Sequence, residues 1–413
     1  MTSQRSAYLW NAASGGLSAF QSVIMLVVIT HVCNIVVAGV FTIAFTLANQ
    51  LLNIGKFGMR NFQVSDVPPE CRFSFGDYAA SRVVTTGLML VAAAVYIAIS
   101  AQTLAYSGEK TMVMLLMCLL KAVDSVEDVF FGNFQQHQHL DVAGKLMFIR
   151  CAVMIAAFCG ALVISQSLAA ATLWAVLLSV VTSGSLLAWA WRCFRLPAGN
   201  LGFSWPEVWR LLRECTPLFL AAFLLLYIGF APRFAIDALA GDTAQAVYGF
   251  ISMPVFIVSL LASLLYNPLV ATLSRLWSEG RRPEFARAFA RQTLWTALIT
   301  LGCTLAAFLL GAPVLSLLFG TDLELYIPEL CILVCGGGFF ALASLFGVGA
   351  TILRRQKLLL AAYAVTSAVA FVAAPLAVEH WGVTGAAWCY LGCMALLAGL
   401  VFACFFWCLR EKR

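Results

Sequence analysis

The sequence has 413 residues, 62% of them hydrophobic and only 11% charged. A soluble domain carries about 25% charged residues, so this chain reads as an integral membrane protein. The net charge of +6 comes from basic residues scattered over short connections, which excludes a nucleic-acid-binding surface.

Apolar runs of about 20 residues, each long enough to cross a bilayer as a helix, recur about twelve times. The first six spans fall near Tyr8–Val32, Val36–Phe57, Tyr78–Gln102, Lys110–Phe131, Val142–Ser165 and Ala169–Trp191. The second six fall near Thr216–Leu239, Ala244–Leu273, Gln292–Phe319, Tyr326–Leu353, Leu358–Val378 and Val383–Cys408. This divides the chain into 1–194, an inter-lobe loop 195–214, and 215–413. The first run is too long for a signal-peptide core and lacks an Ala-x-Ala end, so it is expected to stay in place. Connections after even-numbered spans carry Arg60, Arg72, Lys145, the central arginines and Arg275 to Arg291, then Arg354, Arg355 and Lys357. The opposite connections are short and mostly acidic. The positive-inside rule then puts both termini in the cytoplasm.

Polar residues inside the spans are the candidate functional groups. In span 2, Thr42, Thr46, Asn49 and Asn53 share one helix face, extended by Lys56 and Arg60. Such a stripe lines a hydrophilic cavity or hydrogen-bonds a neighbouring helix. The two cations favour the cavity, although long basic side chains also snorkel. In span 4, Lys121, Asp124 and Asp128 share a face, with Glu127 nearby. A rise of ~1.5 Å per residue places Lys121 ~18 Å deep. These groups form either a charged cavity wall or a Lys121–Asp124 pair closed on itself. Arg150 reads first as an interfacial anchor and otherwise as a third cation.

In span 7, Pro232 loosens the helix just before Arg233, and Asp237 follows four residues later on the same face. Arg233 and Asp237 form either an embedded anion site or a self-satisfying pair. Guanidinium suits phosphate oxygens bidentately. Gly336-Gly-Gly338 reads as close helix packing or a flexible segment. The 14 cysteines lie mostly inside spans as small hydrophobes, and no zinc spacing or other metal site is evident. No Walker A motif is present, and no cofactor is expected.

Gly58-Met-Arg-Asn-Phe-Gln-Val-Ser-Asp66 resembles bacterial polysaccharide-biosynthesis flippases. So do Ala231-Pro-Arg-Phe-Ala-Ile-Asp237, Gln245-Ala-Val-Tyr-Gly-Phe-Ile-Ser-Met-Pro254 and Gly382-Val-Thr-Gly-Ala-Ala387. These are members of the polysaccharide transporter family in the multidrug/oligosaccharidyl-lipid/polysaccharide superfamily. The resemblance runs over the whole chain. It implies an all-α polytopic fold of about 12 helices, in two six-helix lobes around a central cavity. It also implies alternating access in the bacterial cytoplasmic membrane, moving a polyprenyl-diphosphate-linked oligosaccharide for O-antigen, capsule or a similar surface glycan. The neighbourhood of Asp66, Gln135 and Asp141 shares the resemblance without an assigned role.

The expected partners are that lipid-linked glycan, membrane lipids, and H+ or Na+ as a coupling ion. Asp124, Asp128 and Asp237 are the candidate carriers of a coupling proton. An ion-coupled drug or cation antiporter of the same superfamily is the alternative. An enzyme, such as a glycan polymerase or ligase, is disfavoured because the external loops are too short to carry its chemistry.

Overall fold

The computed structural model describes residues 2–66, 71–194, 202–266, 269–353 and 356–411. The described residues are helical with no strand. Residues 195–201 of the expected inter-lobe loop, and Arg354 and Arg355, lie outside the described residues. Among the described residues, ten helices are long and apolar enough to cross a membrane, so this is a multi-pass membrane protein.

The chain divides into two compact units, Met1–Phe223 and Leu224–Arg413. The first holds α1 (Thr2–Val32), α2 (Ile35–Lys56), α3 (Met59–Ser65), α4 (Phe75–Thr103), α5 (Gly108–Gln136), α6 (Leu140–Ser165) and α7 (Leu168–Phe194). The division falls within α8 (Trp205–Leu239), so residues 205–214 open a helix rather than continue the loop.

Local sequence explains the ends of these helices. Asn34 caps α2 by accepting from the Val37 amide. Ser74 and Asp77 form a reciprocal capping box at α4. The other carboxylate oxygen of Asp77 accepts from the Ser204 amide and ties down the approach to α8. α2 ends in two successive left-handed residues, Phe57 (φ 50°) and Gly58 (φ 66°). A Cβ on Gly58 would lie 2.9 Å from the Leu218 Cβ, so glycine is required there by conformation and by space.

The α3 helix was not anticipated as a separate element. Its Met59 joins Phe73, Tyr78, Val129, Val208, Leu211, Leu212 and Cys215 in one buried cluster. Asp66 closes α3 onto the next strand of chain. It accepts from the Arg72 amide (2.8 Å), the Phe73 amide (3.2 Å) and the Tyr78 hydroxyl (3.0 Å). The conspicuous Gly58–Asp66 stretch is therefore an elbow followed by a loop clamp.

The second unit continues with α9 (Gly241–Ile251), α10 (Val255–Tyr266), α11 (Val270–Ser278), α12 (Arg282–Ala306), α13 (Ala312–Phe319), α14 (Ile327–Ile352) and α15 (Gln356–Glu411). Span 8 was read as one helix over 244–273. It is instead broken at Ser252–Pro254, where proline removes a backbone donor. A single π turn, Ala307–Gly311, joins α12 to α13. α15 breaks at Gly382 (φ 55°, ψ −130°), so it is two membrane-length arms. Among the described residues, that second arm and the charged α5 bring the number of crossing-length helices to twelve.

The three glycines of α14 each face a different neighbour. Added Cβ atoms would meet the Tyr390 ring of α15 at 2.6 Å, Val255 of α10 at 2.9 Å, and Thr300 of α12 closer still. Of the two readings of this stretch, close helix packing holds. Gly338→Ala is expected to cost about 1–3 kcal/mol by overpacking against Thr300. Gly302→Ala, with open space at its Cβ, should be neutral or slightly stabilising. Thermal unfolding of the two purified variants checks this; equal midpoints would contradict it.

Candidate functional site

In the first unit, α5 carries a charged face into the middle of a helix bundle, and α2, α4, α6 and α7 pack around it. Lys121 Nζ lies 2.9 Å from Asp124 Oδ2, and Arg150 Nη2 of α6 lies 2.7 Å from Asp124 Oδ1. Arg150 Nε is 2.8 Å from Glu127 Oε2, and Ser183 of α7 hydrogen-bonds the Glu127 carboxylate. The Arg150 Nε–H does not aim at that oxygen, so the contact is electrostatic rather than a formed hydrogen bond. One turn on, Asp128 Oδ2 accepts from Arg82 Nη2 of α4 at 2.9 Å. Arg82 Nη1 also donates to the Gly55 carbonyl of α2 at 2.5 Å.

Arg82, Lys121, Glu127, Asp128 and Arg150 are all buried. Three buried cations thus face three carboxylates, and a buried charge is tolerated only when it is paired in this way. Of the two readings for Lys121 and Asp124, their contact is formed, but the pair is not isolated: it belongs to a network over three helices. Arg150 is not the interfacial anchor expected first. It is withdrawn from the surface because Asp124 and Glu127 compete for one guanidinium.

The polar stripe of α2 is satisfied along its own helix. Thr42, Thr46, Asn49 and Asn53 donate to the carbonyls of Ala38, Thr42, Phe45 and Asn49. Two cations extend this face beyond the buried network. Arg60 donates to Gln135 at 3.1 Å and stands 3.6 Å from Asp128. Lys56 is half-buried and makes no hydrogen bond or ion pair among the described residues. Counting both, this part of the first unit holds more cations than carboxylates. Asp141 pairs with Lys145 across one helical turn at 3.2 Å.

In the second unit, Arg233 Nη2 donates to Ser252 Oγ at 2.8 Å, and its guanidinium lies 5.4 Å from the centre of the Phe230 ring. Ser252 is the first residue of the break between α9 and α10, and it donates in turn to the Gly249 carbonyl. The arginine is therefore held where the backbone departs from regular helix. Asp237 is buried one turn later on α8. At the far end of α14, Glu329 accepts from Thr384 at 2.5 Å beside the Gly382 break.

Sequence reasoning missed Arg82, although an arginine four residues into an apolar run was a visible signal. It named Glu127 but did not join it to the shared face. Ser183 and Ser252 gave no signal, because serine is common in spans and only their partners make them notable.

No protein-family model and no curated protein matches the chain. Solved transporter structures match it over nearly its whole length. A mutant of the Vibrio cholerae MATE transporter VcmN has TM-score 0.64 at 12% identity, covering 99% of this chain and 98% of that one. An inward-facing multidrug resistance MATE family transporter of the MOP superfamily has TM-score 0.68 at 14% identity, covering 98% and 94%. A MOP superfamily transporter from Pyrococcus furiosus, described as having a binding pocket of reversed polarity, has TM-score 0.59 at 12% identity, covering 99% and 95%. At these identities the likeness is one of fold: the chain has a MATE-like transporter fold.

The network makes a direct demand on stability. Asp128→Asn leaves Arg82 buried without its counter-charge and is expected to cost about 3–5 kcal/mol. Lys56→Gln removes a half-buried cation that makes no ion pair but lends charge to Asp124 and Glu127, and should cost about 1 kcal/mol or less. Thermal midpoints and the yield of monodisperse protein compare the two; an unaffected Asp128→Asn protein would contradict the pairing.

Proposed function

We propose that the protein is an alternating-access flippase for a polyprenyl-diphosphate-linked oligosaccharide, acting in the bacterial cytoplasmic membrane. The observation that carries this reading is the surplus of cations. Lys56 and Arg60 join Arg82, Lys121 and Arg150 around only three carboxylates, Asp124, Glu127 and Asp128. In the other unit, Arg233 is half-buried with its Nη2 directed to Ser252 at a helix break, a further basic group at membrane depth. Such groups suit an anionic headgroup.

The physics is coherent with that substrate. A diphosphate leaving water for hydrocarbon faces a cost of many kcal/mol, and fixed cations lower it. The polyprenyl chain needs no such help and stays in lipid. Arg233 presents a planar fork to phosphate oxygens, and Ser252 fixes its direction. Lys56 at the end of α2 and Arg60 in the first turn of α3 act where the headgroup first leaves the cytoplasm. The work comes from an H+ or Na+ gradient or from consumption of the product outside.

The drug or cation antiporter is the second reading, favoured by the multidrug transporters among the fold neighbours. The two readings part on Arg233. In the flippase, Arg233→Ala abolishes glycan export from intact cells while the folded protein stays in the membrane. Losing a charge-assisted contact to a desolvated phosphate costs about 1.5–3 kcal/mol, roughly tenfold or more in affinity. Arg233→Lys keeps the charge without the fork and retains partial export. Full rescue of Arg233→Ala by Asp237→Asn would overturn the phosphate contact, since it would mean that Arg233 serves only to neutralise Asp237.

A further inference from the structure

The basic turn between α11 and α12 lies apart from the groups assigned to transport. It borders a cavity of about 390 Å³ within the second unit, lined by Leu269, Leu273, Leu276, Glu284, Arg287 and Arg291, with Thr272 and Ala288. A volume of this order accommodates a small polar headgroup and the first part of its attached chains. The lining is divided by chemistry. Leu273 and Leu276 of α11 form a buried apolar floor, while Arg287 and Arg291 of α12 are exposed. The two arginines are four residues apart, so they share a helix face about 6 Å apart along the axis.

The other charges nearby are already committed. Arg281 holds Glu284 through two contacts of 2.8 and 2.5 Å and also reaches Glu279 at 3.3 Å. Arg275 adds a second cation at 3.8 Å from Glu279. Arg282 lies over the Trp277 ring at 3.2 Å. Arg287 feels the Glu284 charge but spends only its Nε–H, on the Pro283 carbonyl at 3.3 Å. Arg291 makes no ion pair or hydrogen bond among the described residues. The cavity therefore shows terminal guanidinium donors above an apolar floor, at the point where α12 passes from a polar first turn into its apolar run.

We propose that this cavity is a binding site for an anionic phospholipid, with the phosphodiester held by Arg287 and Arg291 and the acyl chains against the half-buried apolar lining at Leu269 and Ala288. Charge complementarity selects the occupant. A zwitterionic lipid brings an ammonium toward two cations, whereas phosphatidylglycerol or cardiolipin brings net negative charge. The half-buried apolar lining at Leu269 and Ala288 selects a lipid over a free anion, because a small anion leaves that surface wet.

The test uses delipidated full-length protein in nonionic detergent, with native mass spectrometry reading bound lipid as phosphatidylglycerol is added. Wild type is expected to hold at least one phosphatidylglycerol at concentrations where phosphatidylethanolamine does not bind. The double variant Arg287→Gln/Arg291→Gln should lose tenfold or more in occupancy. Ala288→Trp, which fills the cavity and keeps both charges, should lose it as well. Arg275→Gln, outside the cavity, should not. Retention by the double variant would overturn the proposal. Retention by Ala288→Trp alone would also overturn it, by reducing the effect to surface charge. Displacement of the lipid by low-millimolar inorganic phosphate would show an anion site without lipid selectivity, and preferential binding of a polyprenyl diphosphate would reassign the cavity to the transported substrate.

Discussion

Buried charge on α5 is the constraint from which the first unit follows. A helix carrying Lys121, Asp124, Glu127 and Asp128 cannot face lipid, where each uncompensated charge costs at least a few kcal/mol. It must be enclosed, and its enclosure must supply opposite charges at fixed positions. Arg82 of α4 and Arg150 of α6 do so at 2.9 and 2.7 Å, while the Gly55 carbonyl and Ser183 bring α2 and α7 into the same network. The pairs stabilise little on their own account, since desolvation offsets most of their attraction. What they provide is register: a helix shifted by one residue would strand several charges at once.

The second unit is organised by a different means. Small residues and helix interruptions are prominent there, and its ion pairs at Arg275–Glu279 and Arg281–Glu284 are exposed. Three successive glycines let α10, α12 and α15 approach α14. Further along α14, Gly349 accepts the rings of Phe405 and Phe289, each within 2.8 Å of where a Cβ would be. The helix break at Ser252, the π turn at 307–311 and the kink at Gly382 all fall in this unit. Departures from regular helix are tolerated at membrane depth where protein or a polar cavity meets the freed backbone groups. They are also the places where a helix bends at low cost.

Much of this was legible before any coordinates. Hydrophobic run length gives the helix count because the bilayer fixes the length of a span. The charged face of α5 stood out because ionisable residues are rare in such runs. The partners of that face were harder to read, since pairing across helices depends on rotation and depth, which one sequence does not encode locally. Arg82 and Arg150 show this: alone, each resembles a snorkelling residue near a span end. The break at Ser252–Pro254 was obscured by the apolar residues on both sides. Asp66 was noticed as part of a pattern, but its role needed the Arg72 and Phe73 amides to be seen converging on it.

Reconstitution addresses the central claim most directly. Proteoliposomes would be loaded with a fluorescent polyprenyl-diphosphate oligosaccharide in both leaflets, and a membrane-impermeant quencher added outside. A flippase brings inner-leaflet substrate within reach of the quencher, so the quenched fraction should rise well above the roughly half expected from a static bilayer, and Arg233→Ala protein should leave it there. A wild-type protein that leaves the fraction at the static value, in vesicles where it is folded and exchanges a cationic drug against H+ or Na+, would contradict the account and favour the antiporter.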